Sequence, residues 1–212
     1  MTLEWLVAVA TFCFVTCFTP GPNNTMLMAS GLNFGIRRTV PHLLGVSIGF
    51  AVMVFAVGLG IAGLFKAFPA LYTTLKVVSI VYLVWLAWRI AMAGEVNAGG
   101  GAGRPFTFFE AAAFQWVNPK AWIMAVGISA TYLVAGQLWT SLVVVTLVFL
   151  VAGLCSSSTW AIGGTGLRRL VANPVWVRVI NVVLALLLLA SLWPIASDLL
   201  LGQGTTVLVG ER

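Results

Sequence analysis

Six stretches of this chain are apolar for long enough to cross a bilayer, and that constrains its fold more than any other feature. A hydrocarbon core of about 30 Å takes roughly 20 helical residues to cross. The stretches cover residues 4–31, 41–65, 70–92, 108–133, 138–162 and 174–201. Of the 212 residues, 61% are hydrophobic and 8% charged, against about 45–50% and about 25% in soluble domains. The sequence leaves little for a soluble domain. The first stretch is longer than the apolar core of a cleaved signal peptide and has no basic leader, so it is expected to remain as a span. The expected fold is all-α, a single polytopic membrane domain over residues 1–212.

Two proline-centred motifs interrupt these spans. Pro20-Gly21-Pro22-Asn23-Asn24 lies in the first and Asn118-Pro119-Lys120-Ala121 in the fourth. Proline removes a backbone donor and clashes with the preceding turn, so a helix through either motif must kink or break. In hydrocarbon each freed carbonyl then needs another partner or a water-lined cavity. The glycine-rich stretch at 94–104, with Gly99-Gly100-Gly101-Ala102-Gly103, separates half-repeats at about 1–93 and 105–201, and a short tail follows at 202–212. Three spans per half require the second half to enter from the opposite face, which gives the inverted repeat common among secondary transporters. Each half then opens with a proline-broken helix. At 1.5 Å per residue, Pro20 and Asn118 both lie roughly 15 Å from the same face, near the midplane. Lys76 with Ser79 and Arg178 with Asn181 open the third helix of each half in parallel fashion.

The formal charge of +6 is distributed at helix ends, a layout that argues against a nucleic-acid partner. Arg37, Arg38, Arg89, Arg104, Arg168, Arg169 and Arg178 fall on one side, with Lys66, Lys76 and Arg212 on the other. The positive-inside rule makes the larger set cytoplasmic and both termini external. His42, beside Pro41, is expected at headgroup level. Trp116 and Trp122 flank the second motif and are read as packing residues. Gly45, Gly49, Ala56 and Gly60, and Gly153, Ser157, Ala161 and Thr165, form small-residue ridges for close helix approach in lipid.

The sequence holds no catalytic constellation, no phosphate-binding glycine loop and no cluster with metal-ligand spacing, so no enzyme activity, cofactor or metal is expected. Cys13 and Cys17 share a helix face and read as packing. The competing reading is a membrane thiol–disulfide electron carrier that also draws on Cys155. A regular helix, however, sets i and i+4 Cβ atoms about 5–6 Å apart, wider than the about 3.5–4.5 Å of a disulfide. What remains is polar machinery at mid-depth: Thr16, Thr19, Asn23, Asn24 and Thr25 at the first break, and Gln115, Asn118 and Lys120 at the second. A lysine at the bilayer centre costs at least about 2.5–3.5 kcal/mol and so needs a partner. One reading has these groups bond the freed carbonyls. In the other, the uncovered N–H groups of a half-helix draw a carboxylate while facing carbonyls draw an ammonium, so that the pair of breaks holds a zwitterion. Glu110, two turns before Asn118, is the candidate gate or proton site; otherwise it is an interfacial charge favoured by a helix N-terminus.

At these motifs the chain resembles the lysine exporter (LysE/RhtB) family of bacterial amino-acid efflux proteins. The resemblance rests on Thr19-Pro20-Gly21-Pro22-Asn23, Gly31, Gly35, Gly45 and Gly49. It continues through Lys76, Tyr82-Leu83, Asn118-Pro119-Lys120-Ala121, Gly166-Leu167-Arg168-Arg169-Leu170 and Asn181, and so covers nearly the whole chain. It implies an inner-membrane exporter of amino acids or close derivatives, with protons as coupling ion and alternating access around a central site. That site would use Pro20, Gly21, Pro22, Asn23, Asn24, Gln115, Asn118, Pro119 and Lys120. Some members carry an acidic residue just after the second glycine of the second span. Phe50 stands there in this chain, which favours a neutral substrate. Export of a different metabolite is the alternative within the transporter class. Six spans are few for a carrier, which leaves room for a homodimer.

Overall fold

The computed structural model describes residues 1–61, 63, 67–93, 104–170, 174–193 and 196–197. The glycine-rich stretch, the tail, Lys66, Asp198 and Arg212 lie outside these. Helices α1 (Leu3–Phe18), α2 (Pro22–Phe34), α3 (Ile36–Ala56) and α4 (Pro69–Ala91) make the first half. Helices α5 (Phe108–Phe114), α6 (Pro119–Tyr132), α7 (Leu138–Leu170) and α8 (Pro174–Ala190) make the second. No strand occurs among the described residues.

The chain breaks at both proline motifs. Thr19 leaves the helix in an extended conformation (φ −61°, ψ 141°), and α2 starts afresh with Pro22 in its first turn, where a missing N–H costs nothing. The two axes differ by 54°. In the second half α5 tightens into a 3-10 turn at Gln115–Val117. Asn118 is then extended (φ −87°, ψ 109°) and caps α6 through its side chain. A residue before proline is pushed out of the helical region, and asparagine converts that into a cap.

Several boundaries differ from those expected. α3 starts at Ile36 rather than at Pro41. Gly35 adopts φ +76°, a left-handed conformation that favours glycine. It reverses the chain so tightly that Arg37 and Arg38 form the first turn of α3 instead of a loop. Pro41 lies inside the helix. At the other end α3 passes into a π-helical turn at Val57–Ile61, where Gly60 takes φ +106°; the expected end at residue 65 lies outside the described residues. α7 continues to Leu170, well past residue 162. Its 33 residues span about 50 Å at 1.5 Å per residue. α8 ends at Ala190, and a turn follows at 191–192, short of residue 201.

Among the described residues, Ile36–Ile61, Thr73–Ala91 and Leu138–Arg168 are each long and apolar enough to cross a membrane. α1 and α2 supply a fourth crossing if the bent pair is taken as one, and Val175–Ala190 is a shorter apolar helix. One buried cluster joins α1, α3, α6 and α7 through Val9, Met53, Val54, Ile128 and Phe149. A second joins α2, α4, α5 and α8 through Met26, Leu83, Phe114 and Leu188. Large apolar side chains such as Val81, Trp88, Leu147 and Leu186 remain on the outer surface, which suits lipid rather than water.

Close backbone contact ties the halves together. A Cβ on Gly31 of α2 would strike the Ala161 carbonyl of α7, and a Cβ on Gly164 of α7 would strike the Met28 carbonyl of α2. Gly45 meets the Phe108 carbonyl in the same way, and Gly49 meets Ala112. The small-residue ridges are therefore helix-packing surfaces within the molecule. The basic helix ends also gather: Asn181 bonds the Ala93 carbonyl at 2.8 Å and forms a reciprocal amide pair with Asn33. A Cβ on Gly35 would lie 3.3 Å from Arg168 Nη1. Lys76, near the start of α4, is 5% exposed and so packed within the protein.

Candidate functional site

The two breaks dock on each other. Pro20 and Pro22 release the last carbonyls of α1, and side chains from three elements take them up. Asn24 Nδ2 donates to the Cys17 carbonyl at 2.7 Å and the Thr19 carbonyl at 2.9 Å. Ser156 Oγ of α7 also donates to the Cys17 carbonyl, at 2.8 Å. Lys120 Nζ donates to the Thr19 carbonyl at 2.7 Å, the Thr19 hydroxyl at 2.8 Å and the Pro20 carbonyl at 3.3 Å. A lysine of the second break thus carries its charge on the carbonyls of the first.

A second tie runs alongside. Asn23 Nδ2 donates to Gln115 Oε1 at 2.8 Å, and Gln115 Nε2 donates back to Asn23 Oδ1 at 3.2 Å. Gln115 is fully buried and its amide also reaches the Ala111 carbonyl. Asn118 Oδ1 accepts from the Lys120 backbone N–H at 3.2 Å, so the α6 N-terminus is capped. The α2 N-terminus is not: Gly21 provides no side-chain cap. The N–H groups of the first turn of α2, from Asn23 and Asn24, therefore keep the anion-attracting character of an open helix end.

A cavity with about 40 Å³ of water-accessible space lies where these groups converge, enough for roughly three waters at about 10–15 Å³ each. Gly21, Asn23, Asn24, Asn118 and Lys120 line it from the breaks. Ser47 and Phe50 of α3, and Ser156 and Ser157 of α7, line it from the facing helices. No carboxylate is among the residues that line it. Of the polar and break residues singled out in the sequence, Thr16, Gly21, Asn23, Asn24, Asn118 and Lys120 come together here. Gln115 buttresses Asn23, and Pro20, Pro22 and Pro119 shape the breaks. The three serines are additions. Ser156 and Ser157 belong to the polar run Cys155-Ser156-Ser157-Ser158-Thr159 in the middle of an otherwise apolar helix, which is the signal that identifies them.

Glu110 stands apart from the cavity. Its carboxylate takes both arms of the Arg104 guanidinium at 2.6 Å each and accepts from the Thr107 N–H at 2.9 Å. Thr107 Oγ1 in return accepts from the Glu110 N–H, completing a capping box at the start of α5. Trp116 and Trp122 pack edge to face at 6.0 Å and do not line the cavity. Cys13 is buried, Cys17 half-buried and Cys155 exposed, all as free thiols.

His42 does not stack against lipid headgroups, as expected from the sequence, because it does not reach the protein surface. It is fully buried because the Gly35 turn folds α3 straight back along α2. Its ring stacks on Phe106 at 5.2 Å, and Nδ1 shares a hydrogen bond with Ser30 Oγ at 2.9 Å. Nε2 is one of the few buried side-chain nitrogens or oxygens without a partner among the described residues. An orphan of that kind costs about 1–3 kcal/mol.

Comparisons with known proteins identify the family. A family model described as LysE type translocator matches residues 14–196. The chain is 33% identical over 191 residues to a cysteine/O-acetylserine efflux protein of Escherichia coli O139:H28, covering 89% of this chain and 96% of the relative. It is 33% identical over 190 residues to the proteins of the same description from Escherichia coli K12 and Shigella sonnei, covering 89% of this chain and 95% of each relative. No solved structure matches the chain. Translocators of this kind move solutes and are not enzymes, which disposes of the electron-carrier reading of Cys13 and Cys17. With two docked helix breaks around a cavity that Asn24, Lys120 and Ser157 help to line, and a family match over most of its length, the chain belongs to the LysE type translocator family.

Proposed function

We propose that the protein exports a small neutral amino acid or a close derivative across the bacterial inner membrane, with cysteine and O-acetylserine as the first candidates. The observation that carries the proposal is the meeting of the Lys120 ammonium with the uncapped start of α2 at one cavity. A substrate carboxylate placed there would face a full positive charge and two unbonded N–H groups. The facing Ser47, Ser156 and Ser157 hydroxyls offer acceptors to the substrate ammonium. With no carboxylate lining the cavity and Phe50 on its wall, a second positive charge on the substrate would go unpaired, and lysine or arginine would be disfavoured.

The wider reading is six crossings in two inverted halves: α1–α2, α3 and α4, then α5–α6, α7 and α8. The basic ends face the cytoplasm and the termini face outward. Transport proceeds by alternating access at the docked breaks, driven by protons entering as substrate leaves. The test is uptake into proteoliposomes holding purified protein, with an imposed pH gradient and cysteine, O-acetylserine, serine or lysine as cargo. Accumulation of the first two, with lysine excluded, is the expected result. Equal uptake of lysine, or no gradient-dependent uptake of any of the four, would sink the proposal.

A further inference from the structure

We propose that His42 is the proton-carrying residue of the transport cycle; this rests on the exporter reading above. His42 is the only histidine in the chain, and its imidazole is the side chain whose ordinary titration falls between about pH 5 and 8. It sits one helical turn from Val46, which lines the cavity, on the side of the basic helix ends. Nδ1 is held by Ser30 of α2 and the ring is held by Phe106, so the orientation of the ring is fixed. Nε2 is left without a partner inside the packed helices. A structural histidine in such a place is normally satisfied at both nitrogens. With Nδ1–H donating to Ser30 Oγ, the lone pair at Nε2 is open, and such a ring is arranged to accept a proton there when the surrounding helices change position.

The charges around the ring are few. α2 has no ionisable side chain, and α5 has only Glu110, whose carboxylate is tied to Arg104 and whose field reaches the ring. α3 itself adds Arg37 and Arg38, the latter lying over the Phe34 ring at 5.5 Å. α7 has only Cys155 and its terminal arginines, Arg168 and Arg169. In the conformation described here nothing beside Nε2 would accept a bond from its proton, so this state holds a neutral ring. In the alternate conformation Nε2 takes a proton from the side to which substrate is delivered. It releases that proton to the other side when the present packing re-forms.

Two measurements test this. In proteoliposomes, uptake driven by a pH gradient is compared with substrate exchange at equal pH, for the unaltered protein and for His42→Gln, which keeps an amide for Ser30 but cannot titrate. The proposal expects the gradient to stimulate the unaltered protein and not the variant. Gradient stimulation that survives in His42→Gln overturns it. As a check that does not depend on insertion of the variant, nitrogen NMR of the single labelled histidine of the unaltered protein in lipid nanodiscs is recorded across the same pH range, with and without O-acetylserine. A ring that titrates and responds to substrate is expected; a neutral ring of fixed tautomer throughout overturns the proposal. If no amino acid moves while the ring still titrates, it is the exporter reading that fails, and the transport role of His42 falls with it.

Discussion

Replacing Lys120 with methionine separates a binding role from a structural one. Methionine keeps most of the stem and removes the charge. Two terms of similar size oppose each other in the folded protein. The ammonium makes short bonds to the Thr19 carbonyl and hydroxyl and a longer one to the Pro20 carbonyl, and a charged hydrogen bond is worth about 1.5–3 kcal/mol. Against that, holding a lysine at mid-depth costs about 2.5–3.5 kcal/mol or more. The Thr19 carbonyl would keep its bond from Asn24, and Pro20 lies at the protein surface rather than in the packed core. Stability should therefore change by only about 1 kcal/mol. Substrate binding has no such compensation. Losing one charged bond to the carboxylate, about 1.5–3 kcal/mol, weakens apparent affinity by about 10- to 100-fold. The assay is concentration-dependent uptake of O-acetylserine alongside thermal unfolding in detergent. Cysteamine, which lacks a carboxylate, should be carried equally poorly by both proteins. A variant with unaltered affinity and a marked loss of thermal stability would show that Lys120 only braces the break.

Gly21→Ala introduces no backbone strain, because Gly21 is extended (φ 175°). Its Cβ would lie 2.8 Å from Lys120 Cδ and 3.1 Å from Nζ, so the ammonium must move; uptake should fall as in Lys120→Met, and combining the two should add little. Asn23→Ala strips Gln115 Oε1 of its donor inside a buried site and should cost about 1–3 kcal/mol in thermal unfolding, whereas Asn23→Leu with Gln115→Leu should cost less than the sum of the single changes. Thr107→Ala removes the α5 cap and should cost about 1 kcal/mol of stability with transport kinetics unaltered. A change in the pH profile of uptake in that variant would bring Glu110 back as a coupling group.

The breaks were legible in the sequence because proline acts locally: Pro20, Pro22 and Pro119 forbid a continuous helix whatever surrounds them. That Lys120 would reach the carbonyls at Thr19 was one of two readings open at that stage, because the choice depends on how the halves dock. The extent of α7 was hidden for a related reason. Gly163, Gly164 and Gly166 are poor helix formers, and the packing of Gly163 and Gly164 against Met28 of α2 is a contact that the sequence does not reveal. His42 was misplaced because Arg37 and Arg38 suggested a loop in the headgroup region, whereas the left-handed turn at Gly35 brings α3 back at once. Ser47 was overlooked because a serine that bonds the carbonyl four residues earlier, as here with Leu43, looks from sequence like any other helix serine.

The close approach of Gly31 to Ala161 and of Gly164 to Met28 also bears on how the protein is made. α2 carries Asn23, Asn24, Ser30 and Asn33, yet Asn23 and Asn33 find their amide partners, and Asn24 shares its acceptor carbonyl with Ser156, only once the second half has been synthesised. Until α6 arrives, the first break stands in the nascent chain with its lysine partner missing. Biogenesis should therefore stall with the amino-terminal half poorly seated. A stop codon in the glycine-rich stretch should yield a fragment that membrane quality control removes, and co-expression of the missing half should rescue it.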